Sequence, residues 1–171
     1  MNEKISNIIK EKFGEQAVVS TDFSGLQGII VLQTNLIAEV ALLLRNHPDF
    51  YFDFLSCLSG VDLGVAQKQF AVVYHLSSIT LGHQITLKVI VDNNRQVNDL
   101  PKVPSVSQVW RSADWHEREA YDLLGIYFEG HPDLRRILCP DDWEGFALRK
   151  DYEAAENYGG LKIKWEGAKN E

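Results

Sequence analysis

The spacing of apolar residues predicts a helix and two short strands at the start of the chain. Residues 3–13 carry Ile and Phe side chains at helical intervals, and Gly14 suits the C-terminal cap of that helix. Residues 16–20 and 28–33 are short runs rich in β-branched side chains, with a polar turn between them. A helix followed by two strands is therefore expected over this region.

A second helix and a less certain apolar run follow. Thr34 or Asn35 is expected to cap a helix that continues through Arg45, because leucine and valine side chains then fall on one face. Residues 50–58 are strongly apolar and fit either a strand or a buried helical turn that ends at Ser59-Gly60. Periodicity alone does not separate those two alternatives.

The clearest patterns predict a β-hairpin and a charged helix. Residues 69–77 and 83–91 read as strands joined by a short turn, so an antiparallel hairpin is expected. Residues 113–124 have helical periodicity, and Gly125 suits the C-cap. The predicted fold class is α+β: a mostly antiparallel sheet with flanking helices, followed by a helix and a long, ordered loop rich in Arg and Trp.

The chain divides into a scaffold, a distinctive segment and a tail. Residues 1–152 are predicted to form a single α+β domain, in which 1–108 are the sheet scaffold. Residues 109–152 differ in composition, since they hold three of the four tryptophans and five of the seven arginines. Interfaces and charged recognition sites favour these two residue types. Residues 153–171 are expected to be a partly ordered C-terminal tail.

Charge and cysteine content exclude several classes of function. The formal net charge is −7, which argues against a general nucleic-acid-binding protein. No apolar run approaches the roughly 20 residues that span a bilayer, and the N-terminus does not resemble a secretory signal. The chain is expected in the cytosol or at the cytosolic side of a membrane. Cys57 and Cys139 are too few to ligate an iron–sulfur cluster or a structural zinc ion, and no metal site is predicted.

The charged helix holds the candidate polar contacts. Arg118 has Asp114 and Asp122 four residues to either side, a spacing that predicts a solvated ladder of ion pairs. Glu117 and His116 instead fall within the apolar arc. A carboxylate there needs a partner, because an unpaired buried charge is costly.

Three interpretations of Glu117 remain open from the sequence. The first is that Glu117 pairs with one of the cations that follow the helix and thereby pins residues 125–151 onto it. The second places Glu117 at the edge of the apolar stripe, where it reaches water. The third is an active site in which Glu117 works with His116 or His131 as acid and base. The loop's arginines are expected either to pair with its own aspartates or to face a partner protein.

The charged helix and the loop after it resemble one family in detail. The run EREAYDLLGI from Glu117, then HPDLRRIL from His131, WEG from Trp143 and LRKDY from Leu148 resemble the 30 kDa subunit of respiratory complex I. In bacteria this family supplies the C subunit of NADH:quinone oxidoreductase. Where that family usually has proline before the last motif, this chain has Ala147.

The resemblance implies a non-catalytic subunit of a proton-translocating NADH:quinone oxidoreductase. It implies an α+β domain in the peripheral arm, docked beside the large subunit at the quinone site and the subunit that holds the terminal iron–sulfur cluster. The chain itself is expected to carry no cofactor, while FMN, iron–sulfur clusters and quinone belong to partner subunits. The expected location is the cytoplasmic side of the bacterial inner membrane, with only indirect contact with the membrane.

Two alternatives stay open. One is the homologous subunit of a membrane-bound nickel–iron hydrogenase or another quinone-linked dehydrogenase. The remote one is a stand-alone acid–base enzyme that uses Glu117, His131 and Asp151. No catalytic, cofactor-binding or metal residue is assigned, and the isolated chain is predicted to be inactive. The residues expected to dock other subunits or lock the loop are Trp115, Glu117, Arg118, Glu119, Asp122, His131, Asp133, Arg135, Arg136, Trp143, Arg149, Lys150 and Asp151.

Overall fold

A computed structural model describes residues 1–25, 28–96 and 99–162. The helices are α1 (Asn2–Phe13), α2 (Ile37–Asn46) and α3 (Ala113–Leu124). The strands are β1 (Val18–Asp22), β2 (Ile29–Leu32), β3 (Phe54–Gly64), β4 (Gln69–Ser78), β5 (His83–Asp92), β6 (Lys102–Pro104), β7 (Tyr127–Glu129), β8 (Asn157–Tyr158) and β9 (Leu161–Lys162). Short 3₁₀ turns cover Glu15–Ala17 and Thr34–Leu36.

The main sheet has five strands in the order β1-β2-β5-β4-β3. Its neighbours are antiparallel except for the parallel pair of β2 and β5. The predicted hairpin of β4 and β5 is confirmed, with Phe70 opposite Val91 and Tyr74 opposite Leu87. The α+β fold class is likewise confirmed.

One hydrophobic core joins the helices to the sheet. Ile5 and Ile9 of α1 and Val40 and Leu44 of α2 are completely shielded from solvent. They pack in the same cluster as the buried side chains of β2, β4 and β5. Both helices are therefore held by their apolar stripes, as the sequence pattern predicted.

Two element boundaries differ from the predictions. The α2 helix begins at Ile37, after a 3₁₀ turn, and neither Thr34 nor Asn35 caps it. The Thr34 hydroxyl instead donates to the Ile90 carbonyl at 2.9 Å, so a tertiary contact replaces the cap. In the run 50–58 the strand alternative holds from Phe54 onward, and β3 passes through Gly60 to end at Gly64.

Gly60 explains why the strand continues. A Cβ atom at this position would lie 2.7 Å from Leu124 Cδ1 and 3.1 Å from Ile126 Cδ1. Glycine therefore allows α3 to approach β3 closely rather than ending the strand. Farther along the chain, part of the predicted tail forms the small antiparallel hairpin of β8 and β9. The rest of that tail, 163–171, lies outside the described residues.

Candidate docking segment and its polar anchors

The charged helix is fixed to the edge of the sheet by residues that immediately precede it. Trp110 is buried and donates its indole N–H to the Phe52 carbonyl at 2.9 Å. The Ser112 hydroxyl donates to the Leu55 carbonyl at 3.2 Å. These bonds place α3 against β3, and the helix ends at Gly125 as predicted.

Gly125 also makes room for the chain that returns across the helix. Its φ of 70° is left-handed, which favours glycine. A Cβ atom here would lie 2.5 Å from the Phe146 ring and 2.6 Å from Arg149 Nη2. Leu148 then donates its amide to the Leu123 carbonyl at 2.9 Å. The segment after the helix therefore folds back onto the last turn of α3.

Asp122 is the main anchor of the returning segment, residues 125–151. Its side chain has no solvent exposure, and Oδ2 accepts backbone N–H bonds from Ile137, Leu138 and Cys139 at 3.0, 2.6 and 2.8 Å. Oδ1 accepts a bond from Arg136 Nη1 at 2.9 Å. Burial alone would raise the pKa of Asp122, but these four donors lower the pKa below its ordinary value.

A second anchor joins three distant parts of the chain at Asp62. Both terminal nitrogens of Arg95 donate hydrogen bonds to the Asp62 carboxylate, and Nη1 also donates to Asp151 Oδ1 at 3.0 Å. The Lys150 amide donates to Asp62 Oδ2 at 2.8 Å, and the Gly64 amide donates to Oδ1 at 2.8 Å. These donors outweigh burial and lower the pKa of Asp62 to about 2. The residues 150–151 are thereby held against the end of β3.

Cations and rings alternate between the two anchors. The Arg95 and Arg149 guanidinium carbons lie 4.9 and 5.1 Å from the centre of the Phe70 ring. Arg149 also lies 4.4 Å from the Phe146 ring, and Arg136 lies 5.4 Å from that same ring. All four distances are within the range of cation–π attraction. Five side chains therefore form one continuous stack from Asp62 to Asp122.

Arg149 is buried within this stack. Its Nε donates to the Leu124 carbonyl at 2.7 Å. Desolvation lowers the pKa of Arg149 below its ordinary value. Arg149, which the sequence places among the residues that dock a subunit or lock the loop, contacts two rings and a carbonyl rather than an aspartate.

Glu117 has a different partner from the one expected. It is completely shielded from solvent, so it does not reach water at the edge of a stripe. Its carboxylate accepts a hydrogen bond from the Ser105 hydroxyl at 2.6 Å and another from the Val106 amide at 2.7 Å. Glu117 therefore holds the segment before α3, and the expected pairing with an arginine of 125–151 is wrong. The physical reason is that Asp122, farther along the helix, faces that segment instead.

Burial leaves Glu117 with an unusual pKa. Desolvation raises its pKa to about 7, because the bonds from Ser105 and Val106 compensate only in part. His131 Nε2 lies 3.9 Å from Glu117 Oε2 and 3.1 Å from the Asp114 carbonyl. His131 Nδ1 accepts the Asp133 amide at 3.0 Å, so Nε2 carries the proton.

This geometry does not favour acid–base catalysis. Glu117 and the His131 side chain are both fully shielded, so a substrate in solvent does not reach either group. Asp151, the third residue of that hypothesis, is held by Arg95 at the other anchor. Among the described residues, no group of three or more His, Cys, Asp or Glu side chains is arranged to hold a metal ion.

The expected solvated ladder around Arg118 is also wrong. Arg118 and Asp122 are both buried, because the returning segment covers that face of α3. Arg118 Nε donates to the Arg135 carbonyl at 3.3 Å, and its guanidinium carbon lies 4.9 Å from the Trp115 ring. Arg135 itself pairs with Asp133 at 2.9 Å in solvent.

Three large apolar side chains of segment 109–152 are exposed among its charged residues. Trp115, Leu138 and Leu148 are 64, 61 and 60 % exposed. Glu119 is also exposed on α3. All three apolar residues are tied to α3: Trp115 lies on it, Leu138 donates its amide to Asp122, and Leu148 donates its amide to the Leu123 carbonyl.

Trp143 lies farther along the segment. Its ring packs near Tyr152 and Tyr158, with centroid distances of 6.5 and 5.4 Å. Sequence reasoning missed Asp62, Arg95 and Ser105, which have no motif or charge run to distinguish them. Their roles follow only from the tertiary fold.

Solved structures of other respiratory proteins share this fold. The structure of Nqo5, a trypsin-resistant fragment (1–134), is 30 % identical, has a TM-score of 0.61, and covers 78 % of this chain and 98 % of its own. The structure of a membrane-bound sulfane sulfur reductase, an archaeal respiratory membrane complex, contains a chain with a TM-score of 0.69. That chain is 21 % identical, and the match covers 89 % of this chain and 85 % of the other.

Fold and site together define a class, the α+β subunits of respiratory complexes. The chain belongs to the family described as respiratory-chain NADH dehydrogenase, 30 Kd subunit, whose model matches residues 30–158. Among its relatives, the C subunit of the NADH-quinone oxidoreductase of Chlorobium phaeobacteroides is 45 % identical, over 92 % of both chains. The protein of the same name from Chloroherpeton thalassium is 44 % identical, over 95 % of this chain and 65 % of its own.

Proposed function

We propose that this chain is a docking subunit of the peripheral arm of an NADH:quinone oxidoreductase. As a member of the 30 Kd family it is a subunit of a membrane-associated respiratory complex. Its part is to position the large subunit at the quinone site and the subunit with the terminal iron–sulfur cluster. FMN, iron–sulfur clusters and quinone belong to partner subunits, and this chain carries none of them.

The observation that carries this proposal is the rigid presentation of exposed apolar side chains. Trp115, Leu138 and Leu148 are more than half exposed, while the backbone that carries them is held by the buried carboxylates of Asp122 and Asp62. An exposed tryptophan on a preorganised backbone is typical of an interface anchor, because little conformational entropy is lost on binding. A docking role therefore accounts for both the anchors and the exposed surface.

The arrangement also fits a positioning role rather than a reaction. Groups that would perform acid–base chemistry are shielded, and the polar contacts serve to hold one segment on another. No described helix is long and apolar enough to cross a membrane. Under this proposal the chain lies on the cytoplasmic side of the bacterial inner membrane, attached through its partner subunits.

The test is to recover the assembly through this chain. An affinity-tagged chain is purified from gently solubilised membranes, and the co-purifying proteins are identified by mass spectrometry. An NADH-binding flavoprotein together with iron–sulfur subunits is the expected result. A nickel–iron large subunit would identify a hydrogenase host instead, and recovery of the chain alone would contradict the docking role.

A matched pair of variants assigns the interface. Trp115→Ala combined with Leu138→Ala is expected to lower recovery of the partner subunits, while the isolated chain keeps its thermal midpoint. Ile79→Ala combined with Leu81→Ala removes exposed apolar side chains from the β4–β5 turn and is expected to change neither property. Equal recovery of the partner subunits with both pairs of substitutions would show that Trp115 and Leu138 do not belong to the interface.

A further inference from the structure

Residues 142–159 line a cleft at the C-terminal end of the docking segment 109–152. Its volume is about 310 Å³, and it opens beside the small β8–β9 hairpin. We call this cleft the aromatic–acidic cleft. Its rings and carboxylates come from Asp142, Trp143, Glu144, Tyr152, Glu153 and Tyr158.

Three rings form one wall of the aromatic–acidic cleft. The Trp143 and Tyr152 rings are nearly parallel, at an interplanar angle of 20°, and Tyr158 is tilted by 53° against Trp143. The Tyr158 hydroxyl donates to Asp142 Oδ1 at 2.9 Å, which fixes that ring, and the resulting pairing raises the pKa of Tyr158. The rings are therefore held in place before any ligand binds.

The charged side chains that line the aromatic–acidic cleft are all acidic, and the nearest cations, Arg95 and Arg149, line an adjoining cleft that shares Glu144 and Glu153. Its described lining contains three carboxylates, from Asp142, Glu144 and Glu153, and no Lys, Arg or His. Neither Glu144 nor Glu153 has an ion-pair partner within the described part of the chain, and both side chains are exposed. Fixed ring faces next to unpaired carboxylates are the chemistry that attracts a cation.

We propose that the aromatic–acidic cleft takes an arginine or lysine side chain of an adjoining subunit. This inference rests on the proposed docking function, and it names the chemistry of one contact in that interface. A guanidinium or ammonium group gains attraction from the ring faces of Trp143, Tyr152 and Tyr158 and from the nearby carboxylates. The cleft continues the docking segment 109–152 at its C-terminal end, so a partner on that segment is within reach of it.

The test removes the charges without disturbing the fold. Glu144→Gln combined with Glu153→Gln keeps the shape of both exposed side chains, and Glu3→Gln combined with Glu11→Gln removes two exposed charges from α1 as the matched control. The tagged complexes are immobilised, and dissociation of the partner subunits is followed at increasing salt. The cleft variant is expected to dissociate roughly tenfold faster at low salt, and the control at the wild-type rate.

Photo-cross-linking identifies the occupant. A p-benzoylphenylalanine at the position of Ala155, on the rim of the cleft, is activated in the intact complex. A cross-linked peptide of another subunit that contains arginine or lysine is the expected product. A product with lipid, or with residues of this same chain, would overturn the proposal.

The outcomes separate this inference from the docking function. If the wild-type chain recovers its partners but the cleft variant dissociates at the same rate as the α1 control variant, the aromatic–acidic cleft is not a contact and the docking function stands. If the wild-type chain recovers no partners, the docking function itself fails. The Trp143→Leu variant gives an independent check, because it removes a ring face while leaving every charge in place.

Discussion

Replacing Asp122 by asparagine tests the anchor between α3 and the returning segment. The carboxylate has no exposure and accepts three backbone amides on Oδ2 and Arg136 on Oδ1. Asparagine keeps one oxygen and replaces the other by an NH₂ group, which is a donor. The NH₂ group must then face either the three backbone amides or the Arg136 guanidinium, which are donors themselves, so either orientation of the asparagine leaves one of the two sets without an acceptor.

The expected cost follows from the bonds that are lost. A hydrogen bond to a charged group contributes about 1.5–3 kcal/mol, and a buried group left without its partner adds a penalty of its own. We expect Asp122→Asn to lower the free energy of unfolding by about 3 kcal/mol, which corresponds to a fall of about 8 °C in Tm. The amides of residues 137–139 should lose protection from hydrogen exchange by roughly a hundredfold.

The pH dependence gives the same prediction a second readout. The folded-state pKa of Asp122 is below its ordinary value of 3.8, so its contribution is fully present above pH 3.8 and is lost as the pH falls through the folded value. The difference in free energy of unfolding between the wild type and Asp122→Asn should therefore decrease as the pH is lowered. Asp133→Asn, which breaks the exposed pair with Arg135, is the control and should change neither Tm nor exchange. Equal behaviour of the two variants would refute the anchor.

Three further substitutions test other contacts by chemical denaturation. Glu117→Gln removes the group whose pKa is raised from 4.5 to about 7. The free energy of unfolding of the wild type should therefore fall by up to about 3 kcal/mol relative to this variant as the pH rises from 4.5 to 7. Parallel pH profiles of the two proteins would contradict this. Arg95→Lys keeps the charge but loses the bidentate hydrogen bonds to Asp62, and should lower the free energy of unfolding by about 2 kcal/mol. Unchanged stability would mean that a positive charge alone is enough to hold Asp62. Gly60→Ala places a Cβ atom 2.7 Å from Leu124 and should cost about 2 kcal/mol; unchanged stability would show that α3 shifts freely.

Local signals were sufficient for much of the fold. The α3 helix and its end at Gly125 were predicted because helical periodicity and a C-terminal glycine act within a few residues of each other. The β4–β5 hairpin was predicted because its two strands are joined by a short turn. The predicted end of β3 at Ser59-Gly60 is wrong, because glycine usually marks the end of a strand, whereas this one is required by the packing of α3, which lies much later in the chain.

The polar anchors were beyond the reach of the sequence. Arg95 and Asp62 are separated by 33 residues, and nothing in the spacing of charges selects that pair from the other aspartates. Arg118 and Asp122 have the spacing of a surface ladder, but a segment from beyond the helix covers them. Helical geometry fixes which residues share a face, whereas tertiary packing decides whether that face meets water.

The run EREAYDLLGI, which carries the family resemblance, therefore acts mainly inside the molecule. Glu117 fixes residues 105–106, Asp122 fixes 137–139, and Gly125 admits the chain that returns past the helix. None of these three groups is available to a partner, since each faces its own chain. Substitutions in them should lower the stability of the isolated chain, whereas substitution of exposed Trp115 should weaken assembly alone. Under the proposed function, folding and docking depend on different side chains of the same helix, and measuring both properties on each variant tests that division.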